Sequence, residues 1–293
     1  MTLDLTHLNA PIRELAFGSI PQRIRHIHTA RWIWYPRAEL ALEHLERLID
    51  YPPCARMPCL LLYGESGIGK TMILDRFARK HPASFDARKE RQIRPVVVVQ
   101  MPPAPDERRL YAALLDTLGA PFFLSDGLVA LEYLALHLLR AAQPRILLID
   151  EVHHLLAGTA REQRRALNLL KTLANVLQIA VVAVGTRDAL QAISSDPQVV
   201  SRFEPMELPP WSENDTFRAF LLALVRDLPL RKASPIADRA CAQLLLRRSE
   251  GITGRVCWIV AQAAEQAIRS GTETIDAELL DRVSQRLHWQ PTA

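Results

Sequence analysis

The segment Gly64-Glu65-Ser66-Gly67-Ile68-Gly69-Lys70-Thr71 follows the apolar run Cys59 to Tyr63 and opens an amphipathic stretch over 70–80. A strand that passes through three glycines directly into a helix has a narrow choice of folds, chief among them an open α/β sheet. The glycines permit dihedrals that turn successive backbone N–H groups toward one point, with no side chain in the way. An anion placed there also meets the positive end of the following helix. Glu65, Ser66 and Ile68 contribute backbone N–H groups to the same cradle. Lys70 is placed to reach the β and γ phosphates of a nucleotide, and the Thr71 hydroxyl to meet Mg²⁺. The alternative, a glycine-rich turn with no ligand, leaves the flanking strand and helix unexplained.

The rest of the chain suits that reading. Short apolar runs at Cys59 to Tyr63, Pro95 to Met101, Arg145 to Ile149, Ile179 to Val184 and Phe203 to Leu208 alternate with stretches of helical length at 70–80, 106–118, 126–142 and 161–177. Runs such as Val96-Val97-Val98-Val99 suit strands buried on both faces. The pattern predicts a five-stranded parallel sheet with helices on both sides. A helix carrying Leu40, Leu42, Leu45, Leu48 and Ile49 precedes it and stops at Pro52-Pro53. After Pro209-Pro210 only helical patterns remain, at 213–227, 235–248, 254–268 and 276–288, which predicts a helical lid. Three parts are expected: an arm without sustained periodicity over 1–37, an α/β domain over 38–209 and a lid over 210–293.

A second chemical element is Arg145-Ile146-Leu147-Leu148-Ile149-Asp150-Glu151, which delivers two carboxylates to the carboxyl end of a strand, the edge at which open α/β sheets bind ligands. Asp150 there can orient hydrated Mg²⁺, and Glu151 can act on an attacking water as general base. A plain acidic strand cap is the alternative. His153 and His154 lack metalloprotease spacing and read as polar loop residues near the site. Thr186, after Val184-Gly185, would bring a hydroxyl beside the γ-phosphate if its strand neighbours the first one, or else caps the helix that follows. Arg202 is placed to meet a neighbouring subunit's nucleotide or to be a surface arginine. Arg255 opens a lid helix, either reaching toward the γ-phosphate or serving as an ordinary helix-start charge.

Charge and cysteine content narrow the class. Lys and Arg total 36 against 32 Asp and Glu, a net charge of +4, too small by itself to demand an anionic partner. The basic residues cluster at Arg76, Arg79, Lys80, Arg88, Lys89, Arg91 and Arg94 and in the N-terminal stretch. The four cysteines lack zinc-ribbon spacing and are too few for a disulfide framework. No apolar run is long enough to span a membrane, and no apolar signal core stands at the N-terminus. A cytoplasmic protein is therefore expected.

The motifs occur in one order: the loop 64–71, Asp150-Glu151 followed by Val152-His153-His154-Leu155-Leu156, the segment Asn168 to Asn175, Val184-Gly185-Thr186, Ser201-Arg202-Phe203 and Leu208-Pro209-Pro210-Trp211. Together they resemble the TniB/TnsC family of AAA+ transposition regulators, over roughly residues 28 to 270. The resemblance implies an AAA+ P-loop ATPase of bacterial cytoplasm, with ATP and Mg²⁺ as cofactors. It further implies a homo-oligomer, as a ring or a helical filament, assembled on double-stranded DNA without sequence preference. Its expected partners are a transposase and a TniQ-like target-selection protein, and hydrolysis is expected to control disassembly. On this resemblance Lys70 and Thr71 are nucleotide and Mg²⁺ ligands, Asp150 and Glu151 the Walker B pair, Thr186 sensor 1, Arg202 the arginine finger and Arg255 sensor 2. By analogy with related ATPases, Arg108 and Arg109 are candidate DNA contacts, with the basic cluster 76–94 as the competing location.

Two other classes fit parts of the pattern. One is a scaffold that uses ATP as a switch without needing hydrolysis. The other is an AAA+ protein of the replication-initiator or clamp-loader type; the lack of a recognisable winged-helix pattern after the lid speaks against the origin-binding version of it. A metabolic kinase would not need the Arg202 and lid arrangement.

Overall fold

The computed structural model describes residues 4–88, 90–104, 106–123, 125–194 and 201–285. Lys89 and the end of the helix expected over 276–288 lie outside them. The chain divides into two compact units, one of residues 1–36, 67–69 and 210–293, the other of 37–66 and 70–209.

The second unit is built on a parallel sheet of β1 (Cys59–Tyr63), β4 (Val96–Gln100), β5 (Ile146–Asp150), β6 (Ala180–Gly185) and β7 (Phe203–Glu207), in the order β4-β5-β6-β1-β7. All five strands match the apolar runs of the sequence. The three central ones are buried almost throughout, as strands covered on both faces must be. The weaker pattern of β7 follows from its place at the sheet edge, where Glu204 and Pro205 are exposed and a proline costs no ladder bond.

Strand residues alternate between the two faces. On one face Leu61, Val97, Val99, Leu147, Ile149, Val181 and Ala183 share a core with α5 (Glu107–Thr117), α6 (Leu128–Ala142), α7 (Ala160–Leu177) and α8 (Asp188–Ser194). Leu60, Leu62, Leu148 and Val182, the alternate residues, are fully buried too. α3 (Pro36–Ile49) and α4 (Lys70–Lys80) bury Ala41, Leu45, Ile73, Leu74 and Phe77. Several helices start at side-chain caps, among them α7, where Thr159 and Glu162 bond reciprocally.

One element departs from the sequence expectation in this unit. Within the basic cluster 76–94 the chain makes an antiparallel hairpin of β2 (Ser84–Asp86) and β3 (Arg91–Ile93). Its strands are three residues long and carry no apolar alternation, so nothing in the sequence marks them.

The first unit is helical: α1 (Ala10–Leu15), α2 (Ile20–His28), α9 (Asp215–Arg226), α10 (Arg239–Ser249), α11 (Thr253–Ser270) and α12 (Ala277–Ser284). The N-terminal stretch, expected as an irregular arm, thus contains two helices, and α2 packs on α11. They are short, six and nine residues, which leaves little room for a period to show, and Gly18 lies between them. Tyr35, Trp211, Phe217 and Phe220 form an aromatic cluster with ring centroids 4.8 to 5.8 Å apart. All four cysteines are free thiols. Among the described residues no helix is long and apolar enough to cross a membrane.

Candidate functional site

The loop after β1 leaves the sheet at Gly64, whose N–H donates to the carbonyl of Gly185 at the end of β6 (3.2 Å). Gly67 and Gly69 take φ of 75° and 110°, values that a side chain resists. The loop tip belongs to the first unit. There the Gly254 N–H at the start of α11 donates to the Gly67 carbonyl (2.8 Å), and a methyl group on Gly69 would stand 3.1 Å from the Tyr35 hydroxyl. Glycine is required here on two counts, backbone dihedral and room. Tyr35 is a contact the sequence did not reveal, because nothing in its spacing points to residue 69.

Lys70, the first residue of α4, is buried and donates to the loop's own carbonyls at Gly64 (2.8 Å) and Glu65 (2.9 Å). Burial lowers its pKa from the usual lysine value, and the carboxylates of Glu151, Asp150 and Glu65 counteract this. Thr71 donates through Oγ1 to Oδ2 of Asp150 (2.8 Å), while Oδ1 of Asp150 accepts from the Glu151 N–H (2.8 Å). Two residues far apart in sequence therefore meet at the carboxyl edge of the sheet. A hydroxyl and a carboxylate are hard oxygen donors, the kind Mg²⁺ takes alongside water and phosphate, so the residues present fit that ion.

Glu151 adopts the left-handed conformation (φ 58°, ψ 36°) and leads into a 3₁₀ turn over Val152–Ala157. Its Oε2 lies 3.0 Å from Nδ1 of His153. His154 Nδ1 lies 2.9 Å from the Met101 carbonyl. Donor atoms of Glu151, His153 and His154 fall within 4.8 Å of one another. The two histidines, read from sequence as polar loop residues, thus contact the candidate base and the end of the neighbouring strand.

β6 pairs with β1 in parallel, with Gly185 opposite Tyr63, which is the condition set for Thr186. The Thr186 Oγ1 is buried and has no hydrogen-bond partner among the described residues, which makes it a donor and acceptor that a ligand can use. Arg187, the next residue, links Glu65 of the loop (3.1 Å) to Glu207 of β7 (2.9 Å). No spacing in the sequence announces that bridge.

Arg202 lies elsewhere. Its carbonyl accepts from Cys59 N–H at the amino end of β1, and its Nη1 donates to Asn175 Oδ1 (2.7 Å). It therefore sits at the sheet edge opposite the phosphate loop, the length of a strand away, on the order of 15 Å. Arg255, in the first turn of α11, pairs with Glu250. Arg108 and Arg109 occupy the first turn of α5, half-buried and exposed respectively, with Asp106 as its cap.

A family model described as "Bacterial TniB protein" matches residues 23–213. No curated protein matches the chain in sequence. Among solved structures, Cdc6p from Pyrobaculum aerophilum superposes with a TM-score of 0.65 at 17% identity, covering 88% of this chain and 70% of that one. The Aeropyrum pernix ORC1 protein in complex with DNA gives 0.64 at 17%, covering 89% and 68%, and the ORC2 protein of the same organism, in ADPNP and ADP complexes, 0.60 at 16%, covering 89% and 71%. These likenesses show a shared AAA+ P-loop fold of the ORC/Cdc6 type.

Proposed function

Because the chain belongs to the TniB family, we propose that it is an ATP-hydrolysing regulator of DNA transposition that assembles on double-stranded DNA and brings a transposase and a TniQ-like target-selection protein to it. The observation that carries the ATPase reading is the 2.8 Å bond from Thr71 to Asp150, made by the residue that follows the buried Lys70 in sequence.

In this reading the backbone N–H groups of Gly64, Glu65, Ser66, Gly67, Ile68 and Gly69 hold the phosphates, and Lys70 exchanges its loop carbonyls for phosphate oxygens. Thr71 and Asp150 hold Mg²⁺, which when bound neutralises and orients the phosphate oxygens. Glu151 takes the proton of the attacking water, and Thr186 orients that water or the γ-phosphate.

Arg202 cannot serve its own chain's phosphate loop from the opposite sheet edge. That position supports a nucleotide shared between neighbouring copies, with Arg202 supplied in trans. A head-to-tail contact of this kind builds a ring or a helix according to whether the rotation closes. DNA would be held through phosphates, with Arg108 and Arg109 as the first residues to test. The ORC1 relative in fold is itself described in complex with DNA.

The test is electron microscopy and DNA binding at low salt, with and without ATP and Mg²⁺. Nucleotide-dependent oligomers on duplex DNA are expected. Absence of both oligomers and DNA binding would sink the reading.

A further inference from the structure

We propose that His153 is a positioning residue for hydrolysis, holding the Glu151 carboxylate in the orientation from which it acts. The inference rests on the reading of Glu151 as general base.

Glu151 has a fixed backbone and a mobile side chain. Its N–H is bonded to Asp150 Oδ1, its carbonyl accepts from the His154 N–H (3.0 Å), and its φ of 58° kinks the chain away from β5. The carboxylate then extends over three rotatable bonds and is 35% exposed, so without a partner it would sample several rotamers. A base that must meet one water in one direction loses rate with each unproductive rotamer.

His153 is built to remove that freedom. Its Nδ1 is buried and stands 3.0 Å from Glu151 Oε2. The contact is attractive with the proton on Nδ1, since an ionised carboxylate only accepts. Its alignment falls short of a full hydrogen bond, so it restrains the carboxylate without locking it, and catalytic contacts of this kind tighten once substrate is bound.

The ring is itself held from two sides. It packs on His154 at 4.8 Å between centroids, and His154 is anchored at the Met101 carbonyl. On the other side is Gly185, where a methyl group would come within 3.2 Å of the His153 N–H nitrogen, 3.5 Å of Nδ1 and 2.7 Å of Ala189 Cβ. The absence of a side chain at Gly185 is what lets the ring sit against the end of β6, one residue before Thr186. His153 thus joins the candidate base to the strand that carries the candidate sensor, a role that sequence spacing alone did not assign.

The deciding experiment compares wild type, His153→Ala and His153→Asn in steady-state phosphate release, nucleotide binding and thermal melting. The Asn side-chain nitrogen stands close to the place of Nδ1. His153→Ala should lower kcat about tenfold with KM for ATP and nucleotide Kd changed less than about twofold, and His153→Asn should recover most of the loss. An unchanged kcat in His153→Ala, an Asn variant as slow as Ala, or a rise in KM matching the fall in kcat each overturns the proposal.

Nitrogen NMR of the nucleotide-free protein reads the contact without turnover. The Nδ1 resonance that disappears in His153→Asn should shift in Glu151→Gln, and no shift overturns the contact. A wild-type protein that binds ATP yet releases no phosphate overturns the general-base reading and the positioning role with it. That failure differs from one of His153 alone, in which wild type turns over and the variants match it.

Discussion

Two sets of buried charge, one in each unit, differ in how completely their partners use them. In the helical unit Arg23 is 1% exposed and every nitrogen of its guanidinium is engaged: Nε and Nη2 donate to the Pro229 carbonyl (3.0 and 2.7 Å), and Nη1 and Nη2 to the two oxygens of Glu273. Glu273 also accepts from the Arg231 N–H (3.1 Å). Among the described residues of the α/β unit, Lys70 is 7% exposed and bonds backbone carbonyls of its own loop, Asp150 is held by a hydroxyl and one N–H, and Thr186 Oγ1 has no hydrogen-bond partner. Burial of charge is thus no mark of chemistry by itself. A matched, closed set is a structural staple, whereas a set that can exchange its partners at the carboxyl ends of strands can receive a ligand.

The largest effect that would break this comparison is Glu151→Gln. Phosphate release should fall about 10² to 10⁴-fold with no drop in melting temperature, and ATP-bound assemblies should persist on DNA. Wild-type behaviour in both respects would instead favour a scaffold that needs no hydrolysis.

Next is Arg23→Met, which leaves Glu273 buried opposite an apolar chain. It should cost about 3–5 kcal/mol in urea unfolding while the folded fraction keeps its ATPase rate. The same pair predicts a pH window. Burial alone would raise the Glu273 carboxyl, but the bonds from Arg23 and the Arg231 N–H lower it overall from 4.5. The unfolded chain then binds its proton at higher pH than the folded one, so this stabilisation is present above pH 4.5 and lost as pH falls through the lower folded value. Urea midpoints at neutral pH and in acid measure it.

A smaller effect tests the shared site. Lys70→Ala and Arg202→Ala should each be inactive, yet mixing them should restore about a quarter of wild-type turnover, from random neighbour pairing in a head-to-tail assembly. No recovery on mixing would remove Arg202 from a trans role.

The smallest is Thr186→Val. Removing a hydroxyl that has no partner among the described residues should leave stability unchanged or raise it by up to about 1 kcal/mol, while kcat falls. A loss of stability would mean that the hydroxyl is structural after all.

Much of this was legible in the residues because the signals were local. Cys59 to Tyr63 and Ile146 to Ile149 are continuous apolar runs, and each strand matched its run to within a residue or two. The loop 64–71 and the pair Asp150-Glu151 are contiguous, so a chemistry could be proposed for them without knowing what lay nearby. The hairpin β2–β3 and helices α1 and α2 escaped for the opposite reason. They are short, and their buried faces, such as Ile12, Arg23 and Ile27, include a charge that only its partner explains. The Arg187 bridge and the contacts of Tyr35 and His153 also escaped, since each joins residues with no sequence relation.

The sequence by itself determined which backbone could fold as strand, loop and helix, and which side chains could bind a phosphate or move a proton, because those depend on residue type and short spacing. Tertiary structure decided the rest. It brought Thr71 to Asp150, set Arg202 at the far edge of the sheet, closed Arg23 on Glu273 and placed His153 between Glu151 and Gly185. Those are distances between segments remote in the chain, set by how the strands order and the helices pack, and no local propensity encodes them.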